Sequence, residues 1–405
     1  MTTVLQGKRI VLGVSGGIAA YKIVELARDL TLAGAQVDVI MTRAAHEFVT
    51  PLTFETLTRR PVRTDVFETW TESEAGHVSL GAEADLLVIA PATAHVIAKL
   101  AHGLADDMLT VTALACPAPV IVAPAMDHHM YLHPATQENL RTLARHGVRV
   151  VGPDEGPLAS GMVGYGRLVS TARLMDAIRA TLGAHGPLSG ARVVVTAGPT
   201  REPLDPIRFL SNRSSGKMGY ALAAAAIDAG AQVTLITGPT ALRPPSEATV
   251  VSVETAAELA AAVHRAVDDA DVLIMTAAVA DYRPSTVAEH KIKKGEEDLT
   301  LRLTRTTDIL LSLSDRPGLL KVGFAAETTS LLDYARDKLR AKHLDLIVAN
   351  DARTSMGSDE GQAYLLRPGQ EAEAIGPAPK EELAATIIDR VARLLAARRP
   401  VAEER

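Results

Sequence analysis

The chain has almost no cysteine, few aromatic side chains, no long apolar run and no strong excess of charge of either sign. One cysteine, Cys116, in 405 residues excludes an internal disulfide and fits a reducing compartment. Aromatic residues are 3% of the composition, so any core must be aliphatic. Hydrophobic residues nonetheless reach 47%, enough for a core in each half. A core of Ala, Val, Leu and Ile suits parallel strands covered by helices. The net charge of −6, from 42 basic and 48 acidic residues, argues against non-specific nucleic-acid binding. No stretch reaches membrane-spanning length. Met1 to Gly17 carries no signal-peptide pattern, because Lys8 and Arg9 lead directly into a strand-like run and a glycine turn. The expected location is the cytoplasm.

At about 150 residues per domain the length predicts two or three domains. Arg9 to Val14 reads as a strand, Ser15-Gly16-Gly17 as a turn, Ile18 to Ala33 as a helix and Val37 to Met41 as a second strand. This is a βαβ unit, which requires parallel strands and a right-handed crossover. Asp85 to Ala90, Val120 to Ala123 and Val148 to Val151 continue the series. Gly183 to Gly190 carries breakers without apolar period and reads as a linker. A second series follows: strand Arg192 to Thr196, helix Lys217 to Ala229, and strands at Val233 to Thr237, Asp271 to Thr276 and Leu344 to Ala349. Ala33-Gly34-Ala35-Gln36-Val37 recurs as Ala229-Gly230-Ala231-Gln232-Val233, an echo better read as convergence of helix–Gly–strand joints than as duplication. The fold expected is α/β, two doubly wound Rossmann-like parallel sheets, with domains at 1–187 and 188–405 and sites outside the carboxyl ends of the strands.

In the first half, Gly13-Val14-Ser15-Gly16-Gly17-Ile18-Ala19 joins a strand to a helix. Glycines there let a phosphate approach the backbone, and a helix N-terminus offers N–H donors. The loop is neither a Walker A motif nor a regular G-x-G-x-x-G, so a plain βα turn is an equal reading. Ser15 and Thr42 close neighbouring strands and could donate to one phosphate. Pro91-Ala92-Thr93-Ala94 and Pro124-Ala125-Met126-Asp127-His128-His129-Met130-Tyr131 follow two further strands and should line the same crevice. Metal binding by Asp127, His128 and His129 is disfavoured, since adjacent histidines tend to point apart.

Residues 8–181 resemble the flavin-containing cysteine decarboxylase family. The matching pieces are Ser15-Gly16-Gly17-Ile18-Ala19-Ala20-Tyr21-Lys22, His77-Val78-Ser79-Leu80, Pro91-Ala92-Thr93-Ala94, Ile97-Ala98-Lys99-Leu100, Pro124-Ala125-Met126 with Met130, and a clamp-like segment from Gly156 to Arg167. The resemblance implies a flavoprotein decarboxylase fold, a trimer, and FMN held by Ser15, Gly16, Gly17, Ile18, Thr42, Pro91, Thr93 and Ala94. It assigns His77 as the catalytic histidine, a proton acceptor at ordinary pH, and Met126, Asp127, Met130 and Arg167 to the substrate phosphopantothenoylcysteine. The hard chemistry, oxidation beside the sulfur followed by loss of CO2, belongs to the cofactor. The family usually has Asn at 127, where an Asp would repel the substrate carboxylate unless protonated or offset by His128 or His129. Ser160 stands in the clamp where related bifunctional enzymes carry a cysteine acid, and a hydroxyl is the poorer proton donor. Cys116 reads as a structural thiol.

In the second half, the loop from Thr196 to Gly219 is dense in hydroxyls, amides and cations ahead of a helix N-terminus at Gly216–Lys217, a setting that suits phosphate. A loop this long in a compact domain more often has a function than not. Met275-Thr276-Ala277-Ala278-Val279-Ala280-Asp281 follows another strand, and Lys291-Ile292-Lys293-Lys294 is a cation run that alone reads as a solvated face. Residues 190–395 resemble bacterial phosphopantothenate–cysteine ligase. That resemblance implies activation of the 4'-phosphopantothenate carboxylate by CTP as an acyl-cytidylate, followed by attack of the cysteine amine, with Mg2+ on the phosphates. It assigns Asn212 to the acyl intermediate and Lys291 to charge stabilisation. It places Met275, Thr276, Ala277, Asp281, Lys291, Thr307, Asp308, Ile309, Leu310, Phe324, Lys338 and Lys342 around CTP, with Asp281 also the candidate metal ligand. Lys338 and Lys342, four apart, share a helix face.

The two resemblances together imply a bifunctional enzyme of coenzyme A biosynthesis, ligase product passing to the decarboxylase, without nucleic-acid or membrane partners. They also imply a homo-oligomer with trimeric decarboxylase and dimeric ligase contacts, a dodecamer by analogy. Two alternatives are a ligase fused to a decayed flavin-binding domain, and an NAD(P)-dependent oxidoreductase, the latter disfavoured by the irregular glycine loop.

Overall fold

The computed structural model describes residues 4–67, 76–294, 298–355 and 357–398, in two compact units that divide between Leu182 and Gly183. The first runs β1 (Arg9–Val14), α1 (Ala20–Leu32), β2 (Gln36–Met41), a 3-10 turn (Arg43–Glu47), α2 (Pro51–Thr58), α3 (Gly76–Ala82), β3 (Leu86–Ala92), α4 (Ala94–His102), α5 (Met108–Ala115), β4 (Val120–Pro124), α6 (His128–Leu132), α7 (Pro134–Arg145), β5 (Arg149–Val150), β6 (Asp154–Pro157), β7 (Val163–Arg167) and α8 (Thr171–Gly183). Five strands make a parallel sheet in the order β2-β1-β3-β4-β5. Strand order reverses between β1 and β3, the switch point at which such sheets open a crevice.

Alternate residues of β1 serve opposite layers, as the period of a strand requires. Ile10, Leu12 and Val14 pack on Ile23, Leu26 and Leu30 of α1. Val11 joins Leu87, Ile89, Val96, Ile97 and Leu109 on the other face. A charge interrupts this sheet at Asp38, which is 7% exposed. Its carboxylate accepts Arg9 Nε at 2.7 Å and Arg60 Nε at 2.6 Å, so burial is compensated from both sides. Helix α1 begins two residues later than its sequence pattern suggests, because Ser15–Ala19 is drawn into the loop that closes the switch point. The β6–β7 hairpin was not legible: its glycines at 156, 161, 164 and 166 hide a strand signal.

The second unit runs β8 (Arg192–Ala197), β9 (Arg201–Pro203), β10 (Phe209–Ser211), α9 (Lys217–Asp228), β11 (Gln232–Thr237), β12 (Thr249–Ser252), α10 (Ala256–Ala266), β13 (Val272–Met275), β14 (Tyr282–Pro284), β15 (Leu303–Arg305), α11 (Ile309–Ser312), β16 (Leu320–Glu327), α12 (Leu331–Ala341), β17 (Leu346–Asp351), α13 (Ala352–Ser355), β18 (Glu360–Leu366), β19 (Glu373–Pro379) and α14 (Lys380–Arg398). Its main sheet is ordered β12-β11-β8-β13-β16-β17-β18-β19. Pairing is parallel as far as β17, and β18 and β19 extend the edge antiparallel. Strand β16 escapes sequence reading because Lys321 breaks its apolar run. That lysine is 4% exposed, and its ammonium caps the end of α11 by donating to Leu313 O and Ser314 O.

Asp38→Ala leaves two guanidinium groups without their shared acceptor. Because both are partly exposed, we expect a loss of about 2–3 kcal/mol, seen as a lower urea midpoint for the transition that releases the β2 amides to hydrogen exchange. An unchanged midpoint would mean that water satisfies both arginines.

Candidate functional sites

In the first unit the switch point is closed by one hydroxyl. Ser15 is fully buried; its Oγ donates to Pro91 O at 2.6 Å and accepts Thr93 N–H at 3.1 Å. The loops after β1 and β3 are thereby joined, and the single Ser15 proton is committed to the protein. Ser15 therefore braces the loop. Thr42, at the end of β2, is different: its Oγ1 is buried with no hydrogen-bond partner among the described residues. Helix α1 starts from Ala19 with no side-chain cap, so its first N–H groups have no side-chain acceptor. At Gly16 a Cβ would lie 2.3 Å from Ala44 Cβ, so the loop lies against the 3-10 turn only because that side chain is missing. Gly17 has only Thr93 near its Cβ position, at 3.6 Å, and Ile18 is 58% exposed. An orphaned hydroxyl, an uncapped helix start and a glycine-tight turn fit the phosphate of a riboflavin phosphate. Thr93 caps α4 through Val96 N, and Pro91 and Ala94 flank it.

His77 is half-buried on the first turn of α3. That helix packs on α5, where a Cβ at Gly81 would sit 3.1 Å from Thr112 O. No hydrogen bond joins His77 to the Ser15–Thr93 cluster among the described residues. Asp127 caps α6, accepting His129 N–H at 3.0 Å, and its other oxygen accepts Ser160 Oγ–H at 2.7 Å. The Ser160 hydroxyl and the His129 N–H hold its pKa below the ordinary carboxylate value, so a protonated Asp127 is disfavoured. His128 does not turn toward that carboxylate; its Nδ1 accepts Tyr165 N–H at 3.1 Å. Met126 N–H donates to Gly166 O at 2.9 Å, Met130 is 49% exposed, and Arg167 lies beside Gly156. A cavity of about 580 Å³ lies at the hairpin base, lined by Lys22, Glu25, Asp154, Glu155, Arg167 and Thr171, away from the Ser15 loop.

The second unit repeats the brace. Thr196, fully buried at the end of β8, accepts the N–H groups of Thr276 and Ala277 at 3.1 Å each. Thr276 Oγ1 donates back to Thr196 O, and Thr200 Oγ1 accepts Ala280 N–H at 3.0 Å. Above these loops lies a cavity of about 830 Å³, large enough for a nucleotide with an acyl group. Met275, Thr276, Ala277, Asp281, Thr307, Asp308, Ile309, Leu310, Phe324, Lys338, Lys342 and Asn212 all line it. Asn212 Nδ2 is held by Ala278 O at 2.8 Å. Lys338 Nζ donates to Phe324 O at 2.7 Å, and Lys342 Nζ lies 2.8 Å from Asp308 Oδ2. Burial would raise the pKa of Asp308, but Lys342 and the Leu311 N–H outweigh it and hold it down.

Lys291 is exposed and outside that lining. Its neighbour Ile292 is tethered instead: Asp205 accepts the N–H groups of Ile207, Arg208 and Ile292, while Arg208 Nη2 donates to Ile292 O. Burial would raise the pKa of Asp205, but these three donors hold it low. Asp205 went unnoticed in the sequence, although an Asp between prolines that bonds two residues on is a turn signal. Lys380, which lines the cavity together with Lys217 of the expected helix start, went unnoticed too. Lys217 Nζ donates to Asp359 Oδ1 at 2.5 Å. No three His, Cys, Asp or Glu side chains gather as a metal site among the described residues, so Asp281 would hold Mg2+ only together with substrate phosphate oxygens.

Two doubly wound α/β units, one with a phosphate cradle and one with a nucleotide-sized cavity at their strand ends, define a two-site enzyme of nucleotide-like ligands. Two family models match: one described as Flavoprotein over residues 2–183, and one described as DNA/pantothenate metabolism flavoprotein C-terminal domain over residues 188–395. The chain is 49% identical over 355 residues to the coenzyme A biosynthesis bifunctional protein CoaBC of Bacillus subtilis (strain 168), with 87% of each chain covered. It is 45% identical over 389 residues to that of Escherichia coli (strain K12), covering 94% of this chain and 95% of that one. Among solved structures it is similar to the C-terminal domain of a coenzyme A biosynthesis bifunctional protein CoaBC, at 42% identity and TM-score 0.46 over 53% of this chain and 99% of that one. It is also similar to the FMN-dependent cysteine decarboxylase SpaF, at 36% identity and TM-score 0.39 over 44% and 97%. The chain belongs to the family of coenzyme A biosynthesis bifunctional proteins. No described helix is long and apolar enough to cross a membrane.

Thr196→Val removes the acceptor of two N–H groups under the cavity. We expect a loss of about 2–4 kcal/mol together with weaker nucleotide binding, read by urea unfolding and by calorimetric titration. Unchanged values in both would show that Thr276 and Ala277 find other acceptors.

Proposed function

We infer that the chain is a bifunctional enzyme of coenzyme A biosynthesis: a phosphopantothenate–cysteine ligase in residues 188–405 and a phosphopantothenoylcysteine decarboxylase in residues 1–187. The observation that carries the ligase half is the cavity, which the whole expected nucleotide set lines except Lys291. CTP is the nucleotide of this reading, with Lys338 and Lys342 against its charge and Asn212 beside the acyl group. Asp281 would hold Mg2+, which would spread the charge that develops on the phosphates. Lys291, outside the lining but next to Ile292, whose N–H is held by Asp205, stabilises charge in the nucleotidyl transfer on this reading. The phosphopantothenate carboxylate attacks the α-phosphorus of CTP, pyrophosphate leaves, and the cysteine amine then displaces CMP from the acyl carbon.

In the decarboxylase half, the cradle of Thr42, the Gly16–Gly17 turn and the start of α1 takes the FMN phosphate. Bound FMN supplies the electron acceptor that makes loss of CO2 feasible. His77 accepts a substrate proton, and Met126, Met130 and Arg167 border the substrate. The same reading carries a cytoplasmic location, which the single cysteine suits, and an assembly with trimeric decarboxylase and dimeric ligase contacts, a dodecamer.

With FMN-loaded protein, His77→Asn should cut CO2 release by about 100-fold or more and spare ligation. Lys291→Ala should cut ligation by about 100-fold and spare decarboxylation. Equal loss of both activities in either variant would contradict the division.

A second expectation concerns protons. Burial holds the Lys338 pKa below the ordinary lysine value, and the charge of Lys342 pushes the same way, against Glu327, Asp308 and Asp281. A triphosphate favours the charged ammonium, so the pKa rises on binding and protons are taken up between the free and bound values. Titration with CTP on the alkaline side, in buffers of different ionisation enthalpy, should show uptake that Lys338→Met removes. Proton release by the wild type would refute this.

A further inference from the structure

The β6–β7 hairpin meets the segment after β4 at three points. Two are at its base: Gly166 O accepts Met126 N–H at 2.9 Å, and Tyr165 N–H donates to His128 Nδ1 at 3.1 Å. The fit is close enough that a Cβ at Gly166 would lie 2.2 Å from Met126 O. The third is at the tip, the exposed turn at 158–162, where Leu158 N–H donates to Met162 O at 2.8 Å. From there Ser160 Oγ donates to Asp127 Oδ2 at 2.7 Å. Asp127 is itself fixed, since its Oδ1 caps α6 at His129 N. Its two oxygens thus have separate duties, one holding the helix and one facing the tip. A carboxylate only accepts, so the one hydroxyl proton of Ser160 points at Asp127 and nowhere else.

We propose that Asp127 and Ser160 form a latch that fixes the hairpin tip against the segment after β4, and that both are positioning residues for phosphopantothenoylcysteine rather than a proton source. Val163 and Tyr165, 71% and 45% exposed, share the open face of β7. Tyr165 stands 6.3 Å from Tyr131, ring centre to ring centre. A partly apolar substrate arm lies against such a surface, and an open tip would disperse it. This inference rests on the decarboxylase reading of residues 1–187.

The test uses the full FMN-loaded chain with Ser160→Ala, Ser160→Thr, Asp127→Asn and the double Ser160→Ala/Asp127→Asn. It reads amide hydrogen exchange of residues 158–167 without substrate, and KM and kcat for CO2 release. Ser160→Ala should raise tip exchange and KM by about tenfold with kcat little changed, and Ser160→Thr should restore both. Asp127→Asn, which keeps the cap but exchanges a charge-assisted bond for a neutral one, should raise tip exchange by about threefold. It should add nothing in the Ser160→Ala background. Unchanged tip exchange, additive effects, or a kcat loss of about 100-fold in Ser160→Ala with normal exchange would each overturn the latch. Wild-type protein that releases no CO2 would refute the decarboxylase reading, while the exchange data still decide whether the latch exists.

Discussion

A buried parallel strand that ends beneath a ligand site leaves backbone N–H and C=O groups with no ladder partner, and each must be satisfied from nearby. Both units meet this constraint with a hydroxyl at the end of their first strand. Ser15 reaches across from β1 to the loop after β3, and Thr196 from β8 to the loop after β13. In each case the hydroxyl joins the strands flanking the point where strand order turns. The loops above then hold their shape with glycine or alanine facing the ligand, because no larger side chain is needed to order them. The cradle and the cavity are both consequences.

Charge is handled in the same economical way. Cations that face the nucleotide cavity are kept apart by groups of the fold: Lys338 on Phe324 O, Lys342 on Asp308, Lys217 on Asp359. Each is held in a defined place before an anion arrives, which lowers the ordering cost of binding. In the first unit the equivalent tension appears as Asp127, an acid at a site expected to receive a carboxylate. The fold answers it with the Ser160 hydroxyl, a helix start and the charge of His129, while His128 is turned to Tyr165.

Much of this was legible in the sequence, and for identifiable reasons. The strand–glycine–helix run at Arg9 carries both the period and the turn chemistry of a βα unit, and the strands at Arg9 and Arg192 both lie where expected. The residues that line the cavity of the second unit were legible through their motifs, which are contiguous pieces after strands. Less legible were elements whose local pattern conflicts with their role: β16 behind Lys321, the glycine-laden β6–β7 hairpin, and the antiparallel edge of β18 and β19. Ser15 was singled out for its loop, but its bracing of that loop against Pro91 and Thr93 was not legible. Only the position of Pro91 O, 76 residues away, shows that its proton is taken.

The sequence by itself determined the parallel strand series of each half and the loops at their ends, because apolar period and turn residues are local properties. Tertiary structure alone decided which polar groups remain available. It left the Thr42 hydroxyl without a partner among the described residues, tied Asp205 to the segment beside Lys291, and joined Asp127 to Ser160 across 33 residues. Hydrogen bonds have short reach and strict direction, and no spacing along the chain reveals which donor the folded backbone will bring to which acceptor.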